Sequence, residues 1–255
     1  LDQATVSLNR NLVMAGKSAS IAFGNVQSAA ARTGMTLAKL LPLNESLNSS
    51  LGTSAVFSKE TLTAQSLLVN KLGLGADEAA KLYKETAGTN ETVGKFVRNT
   101  ANLVTDFNKT NKTAISIKTV MQDVSQASAR VSINAKQFPG GIKQAALEAR
   151  RLGTTLEKTA SGMEAMLDFE TSISNEMEAE ILLGRQLNLD KMRAAALAND
   201  QGTYMKELAK NAGTAAEYGK LNSVQASALA AALGTSKDEL AEMFKSQEGL
   251  AAASA

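Results

Sequence analysis

Apolar residues recur three or four positions apart along most of the chain, the period that lines them up on one stripe of a helix. The clearest run is Met163, Met166, Leu167, Ile173, Met177, Ile181 and Leu182. Every charge between Lys158 and Arg185 is negative: Glu164, Asp168, Glu170, Glu176, Glu178 and Glu180. The pattern predicts one amphipathic helix with an apolar face and an acidic face, around which residues 163–244 are organised. Met166, Phe169, Ile173, Met177, Ile181 and Leu182 are expected at a core or an interface. Glu176, Glu178 and Glu180 are expected on the wetter side.

The same period predicts helices elsewhere. Residues 2–31, with Val6, Leu8, Leu12, Val13, Ile21, Phe23 and Val26 as apolar members, read as a helix weakened by Gly16 and Gly24. A helix over 36–41 is expected to stop at Pro42, and the Asn, Ser, Gly and Thr-rich residues 44–58 read as a loop or hinge. Residues 92–107 and 115–131 read as two helices, and Phe138-Pro139-Gly140-Gly141 as a firm break. Short helices follow the acidic one.

One signature recurs three times: a helix, a glycine stop at Gly73, Gly153 or Gly234, and a new helix start. Glycine just past a helix adopts the left-handed conformation that closes the last turn. Thr154 with Glu157, Ser236 with Glu239, and Thr214 with Glu217 have the spacing of a capping box, in which each residue satisfies the other's free amide. The even spacing of the three glycines hints at an internal duplication of about 80 residues. The fold class expected is all-α: an array of short-to-medium helices and hairpins joined by glycine turns. Three spans follow, with N-terminal helices and hinge over 1–57, a hairpin region over 58–152, and the acidic helix with a C-terminal array over 153–255.

Composition narrows the chemistry. The chain has 255 residues with no Cys and no His, which removes thiol catalysis, cysteine metal sites, and the commonest general base and metal ligand. Aromatics are 4% and much of the apolar content is Ala, so the core of a lone copy would be thin and self-association is expected. No apolar run approaches the roughly 18 residues of a membrane span, no signal peptide opens the chain, and it reads as soluble. A start at Leu1 and an end in Ala-Ala-Ala-Ser-Ala suit a portion of something longer. Residues 1–150 hold 17 basic against 10 acidic side chains, and residues 151–255 hold 10 against 15. That asymmetry suits head-to-tail contacts or weak polyanion affinity, or simply solvated faces of different sign.

No catalytic constellation stands out. The acidic run lacks the aromatic platforms of a sugar site, Glu176, Glu178 and Glu180 lack a calcium loop, and the glycine pairs lack a phosphate-loop pattern. Lys109, Lys112 and Lys118 have only Phe107 nearby for stacking, so no specific nucleic-acid site is expected. Asn-x-Ser/Thr triplets at Asn44, Asn48, Asn90, Asn108 and Asn111 carry little weight in a chain this rich in those residues. No cofactor is implied. The methionines Met163, Met166, Met177 and Met192 suit either packing or an adaptable interface.

Leu167-Asp168-Phe169-Glu170-Thr171-Ser172-Ile173-Ser174-Asn175-Glu176-Met177-Glu178-Ala179-Glu180, followed by Gly184-Arg185-Gln186-Leu187-Asn188-Leu189, resembles the tail tape measure proteins of contractile-tailed, T4-like bacteriophages. Residues 221–241 and 72–79 fit the same family, and the resemblance spans about residues 72–247. It implies a virion structural protein, assembled in the host cytoplasm, that lies in the tail tube and sets tail length. It also implies baseplate-hub contact, a trimeric arrangement, and ejection ahead of the DNA with transient host-membrane contact. The family is associated with long, coiled-coil-like helices, whereas glycine breaks this chain repeatedly. One helix of all 255 residues would reach only about 380 Å, so a hub-proximal folded segment of the ruler is expected. Two rival readings stay open: a membrane-active pilot segment with amphipathic helices, and a tail-associated cell-wall hydrolase using carboxylates such as Glu164 and Glu176.

Overall fold

The computed structural model describes residue 6 and residues 19–87 and 91–254. Among the described residues it is all-helical, with fifteen α-helices and no strand. They are α1 (Ala19–Thr33), α2 (Leu37–Leu51), α3 (Lys59–Leu72), α4 (Ala76–Ala87), α5 (Val93–Asn111), α6 (Ile117–Gln126), α7 (Ala129–Ala135) and α8 (Gly141–Arg151). Then follow α9 (Leu156–Leu167), α10 (Phe169–Leu183), α11 (Asp190–Leu197), α12 (Gln201–Ala212), α13 (Ala215–Tyr218), α14 (Ser223–Ala232) and α15 (Lys237–Ser254). Of the helix expected over 2–31, residues 19–31 lie in α1. Leu8, Leu12, Val13 and Gly16, like Asn90, lie outside the described residues.

The chain forms two compact units, residues 1–102 with 117–126, and residues 103–116 with 127–255. This is a division by contacts. The three spans read from composition and turn signals place a boundary at 152/153, which falls inside the second unit.

In the first unit α1 packs on α3, α2 on α4, and α4 on α6. Val26, Leu40, Leu43, Leu47, Leu62, Leu68, Leu82, Val120 and Met121 fill its core. Pro42 does not end a helix, contrary to the sequence expectation: α2 runs through it to Leu51, and only 52–58 is left as a connection. Proline inside a helix costs about 3 kcal/mol. The four buried leucines of α2, Leu40, Leu41, Leu43 and Leu47, each contribute roughly 1.5 kcal/mol or more, so burial wins.

A side-chain clasp then closes α2. The Asn48 carboxamide accepts from the Ala55 amide at 2.7 Å and the Thr53 hydroxyl at 3.2 Å, and donates to the Ala55 carbonyl at 3.2 Å. In the second unit Asn108 repeats the device on Ile115 and Thr113, at 3.0, 2.8 and 2.8 Å. Both of these Asn-x-Ser/Thr asparagines are therefore engaged in turns.

The helix expected over 115–131 is two helices. Ser128 caps α7 by accepting from the Val131 amide, and its own amide donates to Glu157 at 3.1 Å. That contact explains a second departure. The Thr154–Glu157 box does not form, because the Thr154 amide is already bonded to the Ala149 carbonyl at 3.0 Å in the turn that Gly153 closes. The cap moves to Thr155, which accepts from the Lys158 amide at 3.2 Å, and Glu157 is free to serve Ser128. Ser236 and Glu239 do exchange both bonds, at 3.3 and 3.2 Å, and Thr214 with Glu217 forms a full box.

The second unit is built around α9, which meets α11, α12 and α8, while α10 lies on α14 and α15 closes on α13 and α14. Its core includes Met163, Met166, Leu189, Met192, Met205, Leu229, Leu233, Leu240, Met243 and Phe244. Tyr204 is buried there, donating to the Leu233 carbonyl at 3.3 Å, and burial pushes its phenol up.

Gly73, Gly153 and Gly234 have φ of 65°, 78° and 70°. At Gly153 the backbone of Met243 presses so closely that an added Cβ would overlap its carbonyl, whereas Gly184, at φ 66°, has open space. Gly153→Ala is therefore expected to destabilise the second unit by about 3 kcal/mol or more, combining left-handed strain with overpacking. Gly184→Ala should cost only about 1 kcal/mol, and urea unfolding of the two variants measures the difference.

Candidate interaction surface

The acidic stretch that sequence periodicity assigns to one helix is broken at Asp168. Its carboxylate accepts the Thr171 amide at 3.2 Å and caps α10, while Asp168 itself, at φ −80° and ψ 84°, leaves the helical region. The break resets the helical phase. Met163 and Met166, on α9, stay in the core, but the row four apart on α10 turns outward. Phe169 is 44% exposed, Ile173 45%, Met177 58% and Ile181 79%. Of the six residues expected at a core or interface, Met166 is buried, Leu182 packs partly against the core, and the other four are not core residues.

Small residues decide which face goes in. Ser172 and Ala179 are the buried positions of α10: the Ser172 hydroxyl meets Met166 Sδ at 3.6 Å and Arg193 at 3.3 Å, and α10 as a whole lies on α14, whose Ala228 and Ala232 are also buried. The two helices run antiparallel: Asn175 donates to the Ala231 carbonyl at 3.4 Å, and Gln225 to the Leu182 carbonyl at 2.9 Å. Large side chains would hold the two helices further apart.

The acidic face is also not where the pattern puts it. Glu176 and Glu180 point inward and hold residues 184–190, so their placement on the wetter side is corrected. Three successive amides of that segment find side-chain acceptors: Leu187 on Glu180 at 2.7 Å, Asn188 on Asn211 at 3.3 Å, and Leu189 on Glu176 at 2.9 Å. An irregular segment that buries Leu187 and Leu189 must satisfy its backbone, and the two carboxylates and the Asn211 carboxamide do it.

Arg193 completes the arrangement. Its side chain is 7% exposed and contacts Glu176 at 2.7 Å, Asp190 at 2.6 Å and the Ser172 hydroxyl at 3.3 Å. Burial works against its charge, but the hydrogen bonds to Asp190 and Glu176 outweigh it and raise the guanidinium above its ordinary value. The sequence carries only a weak signal for Arg193: Asp190 three residues before it and the alternating Leu187-x-Leu189.

What remains on the surface of α10 is the apolar ladder flanked by Glu170 and Glu178, both exposed and neither in an ion pair among the described residues. Helix α10 contains no lysine or arginine. Arg193 is engaged on the inner side of the helix, and Arg185, the arginine that follows α10 in sequence, donates to the Asn211 carbonyl at 2.9 Å.

The other candidates disperse. Glu164 pairs with Arg130 beside a cavity of about 40 Å³ that Glu176 does not line. Lys109 and Lys112 fall in the second unit and Lys118 in the first. Among the described residues no group of three or more acidic side chains could hold a metal ion, and no helix is long and apolar enough to cross a membrane. No family model and no curated protein sequence matches the chain.

Arg193→Met is expected to destabilise the second unit by about 3 kcal/mol, because Glu176 would be left buried without its cation. Adding Glu176→Gln should restore part of that, and a double-mutant cycle by urea unfolding reads it. Acid acts through other carboxylates. The Thr171 side chain and amide hold Asp168 below its usual value, those of Thr203 do so for Asp200, and the Thr214 amide and hydroxyl for Glu217. At Glu239 burial opposes the shift, but bonds from Ser236 and Thr235 prevail. Each contributes stability above its unfolded pKa, 3.8 for Asp and 4.5 for Glu, and loses it as pH falls through the lower folded value. Thermal melts by circular dichroism should be level from pH 7 to about 5 and fall progressively below about 4.5.

Proposed function

We propose that this chain is a non-enzymatic structural segment of a phage tail tape measure protein, working by helix placement and surface contact. One observation carries the reading most: the residues with the family resemblance, 167–180 and 184–189, fall largely in α10 and its clamped connection, and α10 presents four large apolar side chains that are exposed among the described residues. An apolar row of this kind is characteristic of surfaces that engage other proteins.

In this reading the glycine-broken helices form a folded, hub-proximal portion of the ruler. The partners are tail-tube and baseplate-hub proteins, with sister copies of the chain in a trimeric arrangement, in the tail of the virion. The short helices support the hub-proximal placement, since those among the described residues run only 4 to 19 residues each and none is a long rod.

The native particle that contains the chain tests the reading. Isolated without denaturant, it is expected to be a tailed virion or tail intermediate, with several copies of the chain located by antibody labelling at the tail. Recovery only as a lone 26.7-kDa monomer overturns it. Density for these residues strung out along the tube lumen overturns the hub-proximal placement.

A further inference from the structure

Resting on the reading of α10 as an assembly surface, we infer that its outward face docks an amphipathic helix with basic flanks, supplied by a different protein chain. The geometry is that of a ridge. Phe169, Ile173, Met177 and Ile181 stand four apart, and such a row fits the groove of a second helix crossing at about −50°. Glu170 and Glu178 border the row about 12 Å apart along the axis. A docked helix removes water from both carboxylates. An apolar or acidic partner would leave them uncompensated, whereas Lys or Arg side chains on its flanks pair with them.

Charge also decides against a second copy. Two α10 helices stacked antiparallel about Ser174 bring Glu170 of each against Glu178 of the other, and a parallel stack puts the two glutamate rows on opposite edges of the contact, where a helix without lysine or arginine offers no cation. Neither arrangement compensates the carboxylates. A head-to-tail contact with another helix of the same chain meets no better match. The other exposed large apolar residues, such as Ile21, Leu67, Ile133, Leu197 and Val224, form no comparable row with basic flanks among the described residues.

The test uses the whole chain and two fluorescent 18-residue synthetic helices, both with leucines four apart, one flanked by lysines and its twin by glutamates. Anisotropy titration at low salt is expected to show the lysine peptide binding at least about tenfold tighter than its twin, with the difference shrinking as salt screens the pairs. Met177→Ser with Ile181→Ser, both at exposed positions, should weaken the lysine peptide at least about tenfold with an unchanged thermal melt. Glu170→Gln with Glu178→Gln should remove most of the discrimination between the peptides.

Equal binding of the twins, absence of binding, or binding untouched by the Met177 and Ile181 changes overturns the inference. So does concentration-dependent self-association in sedimentation that those two changes abolish, which makes a second copy the occupant. The two readings fail separately. A tailed particle without peptide discrimination sinks only the docking inference, and discrimination in a chain recovered only as a monomer sinks only the virion reading.

Discussion

The Asp168 carboxylate accepts the Thr171 amide at 3.2 Å, and the direction of every side chain on α10 follows from that cap. Had the helix run on from α9, the apolar stripe beginning at Met163 and Met166 would have continued into the core. With the break, Ser172 and Ala179 face inward and the large apolar row faces out. An N-cap is worth only about 1 kcal/mol by itself. It acts as a phase switch because the surrounding packing is selective: the buried positions of α10 are the small Ser172 and Ala179.

The inward carboxylates then serve a segment that has no regular structure. Residues 184–190 bury Leu187 and Leu189, and each of three consecutive amides is met by a side chain. Arg193 balances the charge that Glu176 brings with it. Desolvation, backbone satisfaction and charge are thus settled together on the inner side of α10, while the opposite side keeps its large apolar residues exposed among the described residues. The low aromatic content has the same consequence across the second unit. Its core is filled by methionine, leucine and alanine, with Tyr204 and Phe244 as its largest members.

Much of the candidate surface was legible in the sequence. The residues that form the ladder were picked out by their period, and the acidic stretch by its charge. Their orientation was not legible. Period-four spacing identifies a stripe but not its direction, and Asp168 reads equally well as one more surface acid or as a cap. Glu176 and Glu180 look like solvated residues until the amides of Leu187 and Leu189, seven and thirteen positions away, are brought to them. Pro42 shows the reverse case, a local stop signal overruled by the leucines around it.

Local rules set by the chain alone therefore determined the all-helical class, the left-handed glycine turns at Gly73, Gly153 and Gly234, and the caps at Thr214 and Ser236. These depend on backbone sterics and bonds spanning three or four residues. Tertiary structure decided which face of α10 is inside, where the α9–α10 and α6–α7 breaks fall, and why Thr155 replaces Thr154 as a cap. Those outcomes depend on partners distant in sequence, Ala231 for Asn175, Gln225 for Leu182, Ser128 for Glu157, and Arg193 for Ser172 and Glu176. Burial and charge pairing act through space, and no period along the chain encodes them.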